Sequence, residues 1–321
     1  MELLRGLSSL GPKQNNCVAT IGAFDGVHLG HQAVIEQLAE QAKGLDLPMT
    51  VVTFEPLPRE YLGEYLELES APARLQSFRE RYGALAALGV DRLLCLRFDE
   101  SLRQMSAQDF ASEIFVRGLG VRALVIGDDF RFGREREGGF TFMRELGERE
   151  GFSTLPTHTV ELDGERISST RLRLALANAD FALARRMLNR DFEISGRVIY
   201  GKQLGRQLGV PTANLALRRR SVPLSGVFAV TVNGAELVDE PAIANVGTRP
   251  TVNDGQRPNL EVHILQGSPA LYGQRLRVRF HKKLRDERRF DSIDELKTHI
   301  HRDIDTAREW FLAGNQENTK V

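Results

Sequence analysis

Along the first half of the chain, short apolar runs alternate with longer stretches in which apolar residues return every three or four positions. Residues 17–21, 49–54, 92–97 and 123–126 are short, β-rich runs closed by Gly or Pro or by a charged residue. Residues 31–43 place Ala33, Val34, Leu38 and Ala42 at helical spacing, and 78–88 and 110–118 read the same way. Strands alternating with helices predict a parallel sheet covered on both faces. Such sheets bind ligands beyond the carboxyl ends of their strands, where Gly22 and Gly127 stand.

The period then changes. Residues 171–188 are helical, with a break expected at 178–180. Beyond them, 192–200, 227–233, 243–246, 260–266 and 276–281 are short β-rich runs separated by Gly, Pro and Asn, which suggests an antiparallel sandwich or barrel. Residues 292–312 close the chain as an amphipathic helix, with Ser292 as N-cap ahead of Glu295. The change of period puts a domain boundary near residue 183, giving domains 1–183 and 184–321.

Composition supports two units. A chain of 321 residues exceeds one ordinary domain, and 41% hydrophobic with 27% charged residues excludes a disordered or fibrous chain. Basic and acidic side chains balance at 43 each. The balance hides an asymmetry: residues 1–183 hold 20 basic and 27 acidic side chains, and 184–321 hold 23 and 16. No overall field draws the chain to nucleic acid or anionic lipid. The start lacks a signal-peptide pattern, and no apolar run approaches the ~20 residues of a membrane helix. Cys17 and Cys95 are too few for a disulfide framework and read as small buried hydrophobes, so a cytoplasmic location is expected.

Chemistry concentrates in Thr20-Ile-Gly-Ala-Phe-Asp-Gly-Val-His28-Leu-Gly30-His31, a strand running through a Gly-rich turn into a helix. That arrangement aims backbone N–H groups and the positive helix end at an anion. His28 and His31, three apart, can face one ligand, and Gly30 removes a side chain between them. Two imidazoles there suit charge building on a phosphoryl group. Two look-alikes fail. Gly118-Leu-Gly120 precedes a strand, and Gly196–Gln203 lacks the hydroxyl of a phosphate-binding loop and reads as a strand. His299 and His301 lie on different faces of a helix. The run Arg218-Arg-Arg220 lacks interleaved aromatics and reads as a solvated loop. In Leu260-Glu-Val-His263-Ile264, alternation puts Glu261 and His263 on one face; spacing alone leaves Glu261 equally a solvated carboxylate.

Gly22-Ala-Phe-Asp-Gly-Val-His-Leu-Gly-His31 resembles the His-x-Gly-His signature of nucleotidyltransferases, in the form found in bacterial bifunctional riboflavin kinase/FAD synthetases. Phe54-Glu-Pro56, Gly127-Asp-Asp-Phe-Arg-Phe-Gly133, Ile167-Ser-Ser-Thr-Arg-Leu-Arg173, Gly205-Arg-Gln-Leu-Gly-Val-Pro-Thr-Ala-Asn214, Asn245-Val-Gly-Thr-Arg-Pro-Thr251 and Leu260-Glu-Val-His263 follow in that family's order. Ala23 and Val210 depart from its usual residues without removing a reactive group.

The resemblance implies a Rossmann-like α/β nucleotidyltransferase domain, then a small antiparallel β-barrel riboflavin-kinase domain with a C-terminal helix. It implies riboflavin, FMN, FAD and ATP as substrates and products, Mg2+ as cofactor, and a monomer or weak homo-oligomer without nucleic-acid or membrane partners. His28 and His31 would serve adenylyl transfer. Gly22, Phe24, Asp25, Gly26, Gly127, Asp128, Asp129, Ser168, Ser169, Thr170 and Arg173 would hold its ATP. Without the resemblance, Ser168–Thr170 is a plain helix cap. Glu261 would be the kinase base. Gly201, Lys202, Gly205, Arg206, Gly209, Pro211, Thr212 and Asn214 would hold the kinase's ATP, with Thr212 and Asn214 on the metal. Phe54, Pro56, Phe130, Asn245 and Arg249 would contact flavin. The rivals are another nucleotidyltransferase, a flavin- or nucleotide-binding regulator, and a nucleic-acid-binding barrel.

Overall fold

The computed structural model describes residues 1–11, 15–65, 71–201, 205, 209–234, 236–251, 255–267 and 269–318. The chain divides into two units. One is Met1–Pro72 with Phe78–Ser168; the other is Ala73–Ser77 with Ser169–Val321.

In the first unit, the apolar runs pair as a parallel sheet. Its strands are β1 (Glu2–Arg5), β2 (Cys17–Ile21), β3 (Met49–Phe54), β4 (Arg92–Leu96), β5 (Val121–Ile126) and β6 (Ser153–Pro156), in the order β1-β4-β3-β2-β5-β6. The helices between them are α1 (Leu29–Leu45), α2 (Pro58–Tyr65), α3 (Phe78–Ala87), α4 (Glu100–Gln104), α5 (Ala107–Ala111) and α6 (Phe140–Glu150). A two-stranded hairpin, β7 (Glu161–Leu162) and β8 (Glu165–Arg166), follows the sheet. Successive side chains of each sheet strand go to opposite faces. Val18, Val51, Leu93 and Val125 pack with Ile35 and Leu38 of α1 and Leu85 of α3. Their neighbours Ala19, Val52, Leu94 and Leu124 pack on the other face with Phe110, Ile114, Met143 and Leu146. Each such aliphatic side chain contributes about 1.5–3 kcal/mol on full burial. The order reverses between β2 and β5, which makes the crevice beyond their carboxyl ends the switch point of the sheet.

Several elements were not legible. The short, polar-flanked β1 and β6 were missed, and so were α2, α4, α6 and the β7–β8 hairpin. The helix expected at 110–118 is an α-helical turn, α5, running into a π-helical segment, Ser112–Gly118. Cys17 is buried, and burial pushes its thiol up to about 11. Cys95 is only half-buried, short of the expectation.

The second unit is a closed barrel. Its strands are β9 (Glu193–Ile199), β10 (Ala213–Ala216), β11 (Gly226–Gly234), β12 (Leu237–Thr251), β13 (Gly255–Ile264) and β14 (Arg275–Arg285), in the order β10-β13-β12-β11-β14-β9, with β9 antiparallel to β10. The run expected at 243–246 is only the middle of β12, because pairing on both sides carries the strand through Pro241 and Pro250. Two helices precede the barrel, α7 (Ser169–Ala177) and α8 (Phe181–Leu188), with the break between them as expected. Phe181 packs its ring against Phe228 and Phe280 of the barrel, at 6.0 and 6.2 Å. The C-terminal helix Ile293–Asn318 is capped as expected, Ser292 Oγ accepting from Glu295 N at 3.1 Å. Its Ile304 and Ala307 pack on Ala229 and Ile243.

Arginines hold Ala73–Ser77 in this unit. Arg173 Nε donates to the Ala73 carbonyl at 2.6 Å, and Arg219 to that of Leu75 at 3.0 Å. The expectation of a solvated loop therefore fails at Arg219, which is buried between exposed Arg218 and Arg220. Its Nη1 donates to two backbone carbonyls, and a single chain shows no sign of that long-range pairing.

Candidate active sites

The first site is a strained turn made rigid. Gly22 N donates to Val52 O at 3.0 Å, extending the β2–β3 ladder, and the chain then turns sharply. Phe24, Gly26 and Val27 have φ of 49°, 96° and 42°. Left-handed backbone is unusual for Phe and more so for β-branched Val, and such residues persist when their surroundings over-determine them. Burial does that here: Phe24, Asp25, Val27 and His28 are at most 5% exposed.

His28 is the N-cap of α1, and its Nδ1 accepts from His31 N at 3.3 Å. An accepting Nδ1 leaves the ring proton of neutral His28 on Nε2. The His31 ring stacks on it, centroids 3.8 Å apart and planes 14° apart, with the Phe24 ring 5.0 Å from His31. Gly30 was expected to clear room for a ligand. In the structure a Cβ there would meet His28 Cε1 and Nδ1 at 3.2 Å and Ile167 O at 3.5 Å. The glycine therefore makes room for the histidine itself and brings the Ile167–Ser168 backbone beside it.

Gly127, Asp128 and Asp129 leave β5 next to the histidine turn, because β5 pairs with β2. Both carboxylates are exposed; Asp129 pairs with Arg166 at 3.1 Å. Phe54 and Phe130 belong to one apolar cluster, while Pro56 is exposed. Ser168 belongs to this unit; Ser169, Thr170 and Arg173 group with the other.

One residue that the sequence did not single out is Arg81. Its side chain is fully buried on α3, donating to Ala23 O at 2.8 Å and to Phe54 O and the Glu55 carboxylate at 3.0 Å. The available signal was a charge on an apolar stripe, between Phe78 and Leu85.

The second site is built by strand register. Asn214 of β10 pairs with Glu261 of β13, which pairs with Asn245 of β12, which pairs with Val227 of β11. Directly paired residues share a face, and all four line a cavity of about 310 Å³ with Gly205 and Thr212. A Cβ on Gly201 would meet the Asn214 amide at 2.5 Å, so glycine there lets that amide stay. Asn259, two residues before Glu261, donates to its carboxylate at 2.8 Å. His263 also lines the cavity. Its Nδ1 must donate to the Pro211 carbonyl, 2.8 Å away, which anchors the turn carrying Thr212. Burial holds this imidazole below its ordinary range. Arg285 grips buried Asp303 through two nitrogens, at 2.8–3.0 Å, fixing the C-terminal helix against β14.

Gly209 takes a left-handed φ of 78° ahead of Val210 and Pro211. Lys202 and Arg206 lie outside the described residues, and only the backbone of Arg249, on β12, is described. Among the described residues no cluster of three or more His, Cys, Asp or Glu could hold a metal. Thr212 and Asn214, oxygen donors lining one cavity, suit a hard cation that keeps water and takes phosphate oxygens.

A histidine-capped helix thus stands at the switch point of a parallel sheet, and an acid–amide row lines a cavity in a closed barrel. Residues 11–171 match the family model for FAD synthetase and residues 188–311 that for riboflavin kinase. The chain is 51% identical over 308 residues to the bifunctional riboflavin kinase/FMN adenylyltransferase of Pseudomonas fluorescens, covering 96% of this chain and 97% of that protein. It is 47% identical over 312 residues to that of Escherichia coli (strain K12), covering 97% and 98%. The crystal structure of a macrolide-efflux protein from Streptococcus pneumoniae aligns with a TM-score of 0.77 at 27% identity, covering 97% of this chain and 100% of that one. The chain belongs to the bifunctional riboflavin kinase/FMN adenylyltransferase family.

Among the described residues, no helix is long and apolar enough to cross a membrane.

Proposed function

We propose that each unit carries one of the family's two reactions, with the residues below in the stated roles. The chain is an enzyme of flavin cofactor biosynthesis: riboflavin and ATP give FMN, and FMN and ATP give FAD with pyrophosphate.

In the first unit the phosphate of FMN attacks the α-phosphorus of ATP. The substrate supplies the nucleophile, so the protein's part is positioning and charge stabilisation. The Nε2–H of His28, the His31 ring and the first N–H groups of α1 serve the α-phosphoryl group. Ser168 serves the departing phosphates. Gly22, Asp25, Gly26, Gly127, Asp128 and Asp129 frame the nucleotide, and Phe54, Pro56 and Phe130 the flavin.

In the second unit the terminal ribityl hydroxyl of riboflavin attacks the γ-phosphorus of ATP while Glu261 takes its proton and ADP leaves with the bridging β,γ-oxygen. Asn259 orients the carboxylate, and Asn245 lies beside it on the flavin side. Gly201, Gly205 and Gly209 let backbone approach the phosphates. Thr212 and Asn214 would hold Mg2+, which when bound polarises phosphate oxygens.

The observation that carries this reading is the Asn214–Glu261–Asn245 row, three residues distant in sequence that pairing sets side by side in the cavity. The test is to incubate the purified protein with riboflavin, ATP and Mg2+ and separate the flavins by chromatography. FMN should form first and FAD after it, and chelating the metal should stop FMN formation. No FMN, or FMN formation indifferent to chelation, would overturn the kinase assignment as stated.

A further inference from the structure

The turn that carries His28 and His31 is held from outside by a residue that neither reaction uses. Arg81 sits on α3, and its guanidinium joins the loops leaving two neighbouring strands. One nitrogen donates to Ala23 O, after β2; the other donates to Phe54 O and to the Glu55 carboxylate, at the end of β3. Thr53 Oγ1 approaches the same Ala23 carbonyl at 3.4 Å. Ala23 is the residue before Phe24, whose φ of 49° is the first left-handed position of the turn. The Phe24 ring lies against His31, and His31 is stacked on His28. A continuous line of contacts thus runs from a buried guanidinium through one peptide carbonyl and one aromatic ring to both histidines.

We propose that Arg81 is a positioning residue for adenylyl transfer: by fixing the Ala23 carbonyl it keeps Phe24 in its left-handed conformation, and the Phe24 ring then sets His31 against His28. The inference rests on the reading of His28 and His31 as the groups that serve the α-phosphoryl transfer. Without the guanidinium, the Ala23–Phe24 peptide can rotate toward an ordinary φ, which withdraws the ring from behind His31. Lysine cannot replace it, because a point ammonium on a single stem cannot reach two carbonyls and a carboxylate in fixed geometry. A displacement of about 1 Å at groups that must meet a transition state costs roughly 10²-fold in rate.

The test uses the full chain and both activities. In Arg81→Lys, the kcat for FMN to FAD should fall about 10²-fold, while KM for FMN and ATP moves by less than roughly threefold. Kinase activity, from the other unit, should be unchanged. The deciding measurement is a double-mutant cycle with Phe24→Ala. If Arg81 acts through Phe24, the double variant is no slower than the slower single variant. If the losses multiply, or if Arg81→Lys keeps kcat within twofold, the proposal is overturned. Should Arg81→Lys leave the first unit unfolded, Thr53→Val removes the other donor on the Ala23 carbonyl and carries the same cycle, read in the same way. His28→Ala and His31→Ala separate the two ideas. If those variants keep making FAD, the histidine reading itself fails; if they do not and the cycle multiplies, only the role of Arg81 fails.

Discussion

In the first unit the residues proposed for catalysis sit on a turn with three left-handed residues, held by buried rings and a buried guanidinium. In the second they sit on paired strands, where Asn214, Glu261 and Asn245 fall side by side because register puts them there. The turn is held by packing around it and by the Arg81 guanidinium on the Ala23 carbonyl. The strand row is set by its ladder, with Asn259 on the Glu261 carboxylate, and its freedom to adjust is correspondingly small. A loop site should therefore be sensitive to distant supporting residues, and a strand site to substitutions that change pairing or burial.

The largest expected effect is on the turn. Replacing His28 and His31 together with Ala should remove FAD formation while FMN accumulates, since each lost electrostatic contact costs about 10²–10³ in rate. Chromatography of the flavins checks it, and unchanged FAD output would undo the assignment. On the strand row, Glu261→Gln should lower FMN formation by about 10²–10⁴. Supplied FMN should still become FAD at a near-normal rate. If both activities fall together, the two sites are not independent and the comparison fails.

The third prediction concerns where the second unit begins. The family models leave residues 172–187 between them, and α7 and α8 belong to the barrel unit. A fragment from residue 184 lacks Phe181, whose ring packs on Phe228 and Phe280. It should fold and phosphorylate riboflavin, but be about 1–2 kcal/mol less stable to urea than a fragment from Ser169, because the lost Phe181 ring is only half-buried. Equal midpoints would show that α7 and α8 add nothing to the barrel.

The smallest effect is on pH. Burial lowers His263 and His281 from the ordinary value of 6.5. As pH falls through 6.5 the unfolded imidazoles take protons before the folded ones do, so the unfolded state binds more protons and the second unit loses stability. Urea midpoints should drop between about pH 7.5 and 5.5. His281 bonds Thr231 at 2.9 Å and packs on Trp310. His281→Gln should flatten that slope, and an unaltered slope would show that the burial of His281 has no part in it.

Local order along the chain determined much of this protein. Apolar periodicity marked β2, β3, β4 and β5, α1, the break between α7 and α8, and the Ser292 cap, because each depends on neighbours within a few residues. The turn around His28 was legible because a Gly-rich strand-to-helix connection is a local pattern. Alternation placed Glu261 and His263 on one face but left that face unassigned. Only pairing with β10 and β12 turned it into a cavity wall. Arg219 read as part of a solvated loop and Arg81 was not singled out, and carbonyls far away in sequence make both of them buried clamps. Pro241 looked like a stop, yet β12 runs through it. Period and capping are short-range physics and can be read along one chain. Register, barrel closure and the satisfaction of a buried guanidinium depend on which distant segments meet, and only the tertiary structure decided that.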